Sequence, residues 1–197
     1  MRTRADRNIR AHLQIQHGVE IVPHPSQLED RLLLPNRGAL RIRSLRQSDV
    51  GVVGEFYRKL SPRTRYLRFA TPMPDSSEAV LRLMTSVDDD RRLALIAESD
   101  LAEVVALGEC AAVDDHTAEV GFVVQDEWQR QGIGTALAMR TLSAAESRGY
   151  DRFVAEMLAY NIGVKRLLGR VGVVVSSKTW RGMSEVTFLR RVSVRSL

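Results

Sequence analysis

The strongest constraint on the fold is a series of three apolar segments between residues 91 and 124. RRLALIAES, AEVVALGECAAV and TAEVGFVV are β-branched or alternate between apolar and polar residues. Turn-like residues at Ser99–Asp100 and Asp114–His116 separate them. Such a pattern predicts three antiparallel strands that follow one another in a single sheet.

The segments on either side predict further strands and helices. ALRIRSL is typical of a strand, and SDVGVVGEFYRKL of a helix with Ser48 as its N-cap. SPRTRYLRF predicts a second helix with Ser61 as N-cap and Pro62 in the first turn, and DSSEAVLRLMTSV a third.

After residue 132 the patterns predict a helix that ends at Gly149, and then the strand RFVAEML. A short helix follows, with Asn161 as N-cap and Gly172 as its end. VVVSSKTW and SEVTFLRRVSV predict two closing strands. The order of the elements indicates a mixed α+β fold of about seven strands around one sheet.

Residues 1–38 differ from the remainder of the chain, because they mix polar residues, arginine, histidine and proline with short apolar patches. We predict an N-terminal arm over 1–38 and one domain over 39–197. A short helix near Ile9–Gln16 and a helical or extended piece at LEDRLLL are expected within the arm. Pro23, Pro25 and Pro35 argue against one continuous element there.

Composition limits the function classes. The chain has 197 residues, a net charge of +5 and a single cysteine, Cys110, which excludes an internal disulfide and favours the cytoplasm. No apolar run approaches the roughly 20 residues that a membrane helix needs. The four histidines lack metal-ligand spacing. Positive charge alone suits nucleic acid, an anionic cofactor or an acidic protein surface, but no nucleic-acid motif accompanies it.

Gly132 and Gly134 stand where a predicted strand is followed by a helix. The start of a helix carries unpaired N–H groups, and residues without side chains let an anion approach them. A dinucleotide fingerprint needs a third glycine where this chain has Leu137, and a Walker loop needs a Gly-Lys-Ser/Thr sequence that is absent. Both common nucleotide motifs are therefore disfavoured.

Gln129 to Gly134 match Q/R-x-x-G-x-G/A instead, which resembles the acetyl-CoA signature of the GCN5-related N-acetyltransferase (GNAT) family. The order of elements over about residues 39–193 is similar to that family too. LSPRTRYLRF before the signature resembles the acetyltransferase domains of bacterial protein-lysine acetyltransferases. The resemblance implies a mostly antiparallel sheet that is splayed at the acyl-CoA site.

The resemblance also implies a binding site for acetyl-CoA without a metal. The amides of the turn would hold the pyrophosphate, and the backbone of Val123 and Val124 would pair with the pantetheine arm. Asn161 is either a further contact to CoA or a plain N-cap, and Arg130 and Arg166 are either phosphate ligands or solvated arginines. The cofactor-binding residues expected in the turn are Gln129, Arg130, Gln131, Gly132, Ile133, Gly134 and Thr135.

Transfer to an amine needs a base, because a lysine amine with a pKa of about 10.4 is protonated at neutral pH. Glu119, four residues before Val123, is the first candidate, and Glu109 is the reserve; the alternative for Glu119 is a solvated or salt-bridged strand residue. Leu168 occupies the place where many family members have a tyrosine that protonates the thiolate. Tyr160 is a weak substitute in a different register.

These observations favour an acetyl-CoA-dependent N-acetyltransferase that acts on a primary amine, a protein lysine in the first instance, by direct attack in a ternary complex. A small amine is the alternative acceptor, and an acyl-CoA sensor without turnover is the alternative function. Arg63, Arg65 and Arg68 predict a basic helix face that is either solvated or turned to an acidic protein surface. The sequence leaves the oligomeric state open, a dimer included.

Overall fold

The computed structural model describes residues 29–35, 37–70 and 91–191. Over these residues one sheet of eight strands carries four α-helices. The strands are β1 Glu29–Leu34, β2 Gly38–Ser44, β3 Arg92–Glu98, β4 Val104–Ala112, β5 Thr117–Val124, β6 Arg152–Leu158, β7 Gly172–Trp180 and β8 Met183–Arg190. The helices are α1 Val50–Lys59, α2 Pro62–Phe69, α3 Ile133–Glu146 and α4 Ile162–Val171.

The strands lie in the order β1-β2-β3-β4-β5-β6-β8-β7. All neighbours are antiparallel except β5 and β6, which are parallel because α3 connects them. The mixed α+β class, the three consecutive antiparallel strands and the mostly antiparallel sheet are thus confirmed.

The eighth strand is β1, which lies within the segment predicted as an arm and pairs with β2 from Glu29↔Arg43 to Leu34↔Gly38. Its sequence, EDRLLL, has no clean alternation, and of the two alternatives predicted there, helical or extended, the structure shows the extended one. The division of the chain at residue 38 stays a prediction. The helices predicted at 75–87 and near residues 9–16 lie outside the described residues.

The predicted ends of α2 and α4 are confirmed. Ser61 caps α2 by accepting a hydrogen bond from the Thr64 amide at 3.1 Å, and Pro62 stands in the first turn. The predicted cap of α1 is wrong, because Ser48 lies inside a short 3₁₀ turn that precedes the helix. Asp49 takes the N-cap position instead.

The core lies on both faces of the sheet. On one face α3 and α4 cover a cluster that includes Leu142, Phe153, Leu168 and Phe188. On the other face α1 covers β3, β4 and β5. The helix α3 approaches β4 closely at Gly108, since a Cβ there would lie 2.8 Å from the Thr141 hydroxyl oxygen. On this second face α2 lies over β5 and β6, and it is the face on which the candidate site lies.

Candidate active site

The strands β5 and β6 separate along their length. They pair only from Thr117↔Arg152 to Glu119↔Val154, although β5 continues to Val124 and β6 to Leu158. The sheet is therefore splayed between the two strands, as the family resemblance implied. The main-chain groups of β5 beyond Glu119 are no longer paired with β6, which leaves room for an extended molecule between the strands.

The glycine turn lies at the same end of β5. Gly132 is the N-cap of α3 with φ +84°, and no atom lies within 4 Å of where its Cβ would be. The Ala136 amide is the first to bond back, to the Gly132 carbonyl at 3.0 Å, so the amides of Ile133, Gly134 and Thr135 have no partner within the helix. No side chain caps this end of α3. The result is an open helix N-terminus that suits an anion.

The residues before Gly132 are held by hydrogen bonds to the backbone. Gln129 Nε2 donates to the Val124 carbonyl at 3.0 Å and to Thr64 Oγ1 at 3.4 Å. Gln131 Nε2 donates to the Glu127 carbonyl at 3.1 Å. Arg130 is exposed and has a positive φ of 60°. Two of the three predicted polar residues of the turn thus shape the loop in this structure, and Arg130 is left facing solvent.

The Glu119 side chain is exposed at the last paired position of β5 and β6. No hydrogen bond or ion pair holds its carboxylate among the residues that the structure describes. Residues 119, 121 and 123 of a strand point to one face, so Glu119 shares a face with the buried Val123, which packs beneath α1. Glu119 is therefore a free carboxylate at the point where the two strands separate.

Glu109, the reserve candidate for the base, is mostly buried and held in an ion pair, unlike Glu119. The Arg68 guanidinium of α2 forms an ion pair with its carboxylate, and both side chains are mostly buried, with exposed fractions of 24% for Arg68 and 18% for Glu109. Burial opposes the charge of Arg68, but the nearby Glu109 outweighs it and raises the pKa of the guanidinium above its ordinary value. A carboxylate held in this way is not available to take a proton from an amine.

The position of Arg68 contradicts the prediction of a basic face on α2. The basic face expected from Arg63, Arg65 and Arg68 does not form, because Arg68 points inward to Glu109 whereas Arg63 is exposed. Spacing along a helix gives the face of a residue but not the direction that a long side chain takes.

Three comparisons with known proteins bear on this geometry. The acetyltransferase (GNAT) family matches residues 55–173, which is more than half of the chain. The chain belongs to the GNAT family. An acetyltransferase of Pseudomonas aeruginosa is 26% identical over 137 residues, 68% of this chain and 74% of that protein. The acetyltransferase Pat of Mycolicibacterium smegmatis is 29% identical over 119 residues, which cover 59% of this chain and only 35% of Pat.

Among solved structures, the GNAT domain of S. lividans PAT superimposes with a TM-score of 0.74 at 26% identity, over 82% of this chain and 96% of that one. A Salmonella typhimurium protein, yncA, whose structure holds acetyl-CoA, superimposes with a TM-score of 0.60 at 16% identity, over 80% and 96%. This second likeness shows the GNAT fold alone. The predicted family and the predicted class of enzyme, an acetyl-CoA-dependent acetyltransferase, are confirmed.

Three residues predicted for the site, Tyr160, Asn161 and Arg166, lie in or next to α4, the helix that follows β6. Asn161 caps α4, accepting from the Val164 amide at 3.2 Å, and its Nδ2 donates to the Leu67 carbonyl of α2 at 3.4 Å. Tyr160 and Arg166 are exposed. The buried side chain of Leu168 packs against the sheet, so the place of the usual tyrosine belongs to the core.

The sequence did not predict the long-range hydrogen bonds and the ion pair that fix α2 beside the site. Asp126, just after β5, accepts from the Ser61 amide at 2.9 Å, from the Ser61 hydroxyl at 2.8 Å and from Thr64 Oγ1 at 2.7 Å. Asn161 and the Arg68–Glu109 pair hold the other end. These contacts join residues 41 to 94 positions apart, so only the tertiary structure reveals them.

Two absences hold for the residues that the structure describes. No group of three or more His, Cys, Asp or Glu side chains among them could hold a metal ion. No helix in the described ranges is long and apolar enough to cross a membrane.

Proposed function

We propose that this GNAT protein transfers the acetyl group of acetyl-CoA to a primary amine, a lysine side chain of a protein, by direct attack in a ternary complex. The observation that carries the proposal is the position of Glu119. Its unpaired carboxylate lies where β5 and β6 separate, on the strand that leads to the open N-terminus of α3. Acetyl-CoA and the base Glu119 would thus both lie along β5.

The open N-terminus of α3 suits the pyrophosphate of CoA. The free amides of Ile133, Gly134 and Thr135 offer hydrogen bonds to phosphate oxygens, and Gly132 leaves their approach clear. The helix dipole adds a favourable interaction with the negative charge. The pantetheine arm would extend between β5 and β6, beside the backbone of Val123 and Val124. Arg130 is exposed beside this cradle, where it can reach a phosphate.

Glu119 would make the acceptor reactive. It takes a proton from the ammonium group, directly or through one water, and the neutral amine attacks the thioester carbonyl carbon. The new C–N bond gives a zwitterionic tetrahedral intermediate, which loses its extra N–H proton to solvent as the C–S bond breaks with its electron pair on sulfur. The CoA thiolate takes a proton from solvent, since the buried Leu168 cannot supply one.

The choice of a protein lysine is supported by the likeness to the GNAT domain of S. lividans PAT and to the mycobacterial Pat. The segment LSPRTRYLRF, which forms α2 beside the site, resembles the acetyltransferase domains of bacterial protein-lysine acetyltransferases. A small amine remains the alternative acceptor. A screen that offers lysine-containing peptides, folded proteins and small amines together with acetyl-CoA distinguishes the two classes.

The test of the base is Glu119→Gln, which keeps the size of the side chain and removes its proton affinity. We expect kcat at pH 7 to fall by about 10²- to 10⁴-fold, with little change in the Kd for acetyl-CoA. Glu55→Gln, an exposed glutamate paired with Arg58 on α1, is the matched control and should leave the rate unchanged. A rate and pH profile equal to wild type in Glu119→Gln would exclude Glu119 as the base.

A second function is favoured by Leu168, which is 1% exposed in the core where a general acid is usual in the family. A protein without that acid can bind acyl-CoA as a sensor and not turn over. Detection of free thiol during incubation with acetyl-CoA and the acceptor panel decides between the functions. Tight binding without acceptor-dependent thiol release would establish the sensor.

A further inference from the structure

Glu109 and Glu119 lie near each other on one face of the sheet. Glu109 is directly opposite Gly121 in the β4–β5 register, and Glu119 is two residues before Gly121 on the same strand. Diagonal neighbours of this kind are about 7–8 Å apart, within the reach of a long side chain. One cation, Arg68 of α2, interacts electrostatically with both carboxylates and forms its ion pair with Glu109.

Gly121 makes room for this arrangement. A Cβ at that position would lie 2.7 Å from Cζ of Arg68 and 3.2 Å from its Nε, so the guanidinium covers the strand where a side chain would otherwise stand. Any other residue at 121 would force the guanidinium to move along the face. The position of Arg68 thus depends on the absence of a side chain at 121 and on the charge of Glu109.

The surroundings offer Arg68 few other partners. Its Nε atom is buried without a hydrogen-bond partner, and so is the Oη atom of Tyr57, which α1 presents to the same space. Burial, and next the charge of Glu109, raise the pKa of the Tyr57 hydroxyl, so that group stays neutral. A cation in such a place needs an anion beside it. Glu119 is the second carboxylate whose charge acts on Arg68, and it would be left to pair with the guanidinium if the charge of Glu109 were absent.

We propose that Glu109 is a positioning residue: it holds Arg68 over Gly121 and so keeps the guanidinium away from Glu119. This inference rests on the proposed function, in which the Glu119 carboxylate must be free to take a proton from the acceptor. An ion pair between Arg68 and Glu119 would occupy that carboxylate and place a positive charge where the acceptor ammonium arrives. Glu109 therefore acts on the reaction through Arg68 and not by touching the substrate.

The decisive experiment compares Glu109→Gln with the double variant Arg68→Met/Glu109→Gln. The single variant releases a guanidinium that then pairs with Glu119, so we expect kcat/KM for the acceptor to fall about 10- to 100-fold. The double variant removes the guanidinium together with its partner, so the activity should return to within about threefold of wild type. The Kd for acetyl-CoA should stay the same in both.

Gly121→Ala tests the same inference without changing a charge. The added methyl group displaces the guanidinium, so this variant should be slow, and Arg68→Met/Gly121→Ala should recover. These two Gly121 variants still test the inference if Glu109→Gln fails to fold, which circular dichroism and thermal melting would detect. Arg58→Met/Glu55→Gln, which removes an exposed ion pair on α1, is the matched control and should behave as wild type.

Two outcomes overturn the inference: wild-type activity in Glu109→Gln, or a double variant as slow as the single one. The second outcome would mean that Glu109 itself is needed, as the base or for the local structure. Glu119→Gln in the same assay separates this failure from that of the proposed function. If Glu119→Gln is as active as wild type, the base assignment is wrong; if it is inactive and the double variant does not recover, only the role of Glu109 is wrong.

Discussion

At the scale of single residues, burial decides which side chains can react. Cys110 lies on β4 with 3% of its surface exposed, on the face covered by α3 and α4 and thus on the opposite side of the sheet from Glu119. Burial raises the pKa of the Cys110 thiol to about 12, so the thiol stays protonated at pH 7.

We therefore expect Cys110 to resist alkylation in the folded protein. Iodoacetamide at pH 8 should label less than about a tenth of it in the time that labels all of it in denaturant, as measured by mass spectrometry. No acetyl group should be found on Cys110 after incubation with acetyl-CoA. Rapid labelling of the native protein would show that β4 is more accessible than its burial indicates.

At the scale of elements, α2 is the part of the site that depends most on distant contacts. Its Ser61 cap and Pro62 were evident in the sequence because both act locally. Its fixation by Asp126 was not, since Asp126 follows β5 and reaches α2 only in the folded chain. Burial raises the pKa of the Asp126 carboxyl, but the hydrogen bonds from Ser61 and Thr64 outweigh burial and hold the pKa below its ordinary value.

Asp126→Ala should loosen the first turn of α2. The variant loses the anchor of the Ser61 amide and of two hydroxyl groups, so we expect amide exchange in Pro62–Phe69 to accelerate more than in α3 or α4. Stability should fall by about 1 kcal/mol, the typical net contribution of an intramolecular hydrogen bond, since these bonds lie at an exposed site. The KM for the acceptor should rise because α2 flanks the site. Glu127→Ala, next in the chain and exposed, is the control, and equal exchange rates in both variants would contradict the anchor.

At the scale of the whole molecule, local patterns predicted the sheet better than they predicted the site. Strand alternation and helix caps gave seven of the eight strands and the order of the elements, because each depends on neighbouring residues. The strand β1 was predicted only as a helical or extended piece, since EDRLLL owes its strand conformation to pairing with β2. The Arg68–Glu109 pair could not be predicted either, because it joins residues 41 positions apart.

The strands β2 and β3 are joined to α1 by a buried ion network that makes stability depend on pH. Arg43 of β2 donates to Asp49, the N-cap of α1, at 2.7 Å and to Glu98 of β3 at 2.5 Å. Burial raises the pKa of the Asp49 carboxyl, but hydrogen bonds from Arg43 and Arg46 outweigh it, so the pKa is lower in the folded than in the unfolded chain. The resulting stabilisation is complete above the unfolded pKa of about 3.9 and is lost as the pH falls through the folded pKa.

The free energy of unfolding of the wild type should therefore fall as the pH is lowered below about 4, where Asp49 takes up its proton on unfolding. Other carboxylates with lowered pKa values, Glu29, Asp30, Asp114 and Asp126, contribute to the same fall. The diagnostic quantity is thus the difference between wild type and Asp49→Asn, from urea unfolding between pH 3 and 7. Asp49→Asn should be less stable than wild type at pH 7, and the difference should shrink towards pH 3, because protonation removes the same charge from the wild type. A difference that is constant with pH would show that Asp49 contributes as a neutral hydrogen-bond acceptor and that its charge adds nothing to the network.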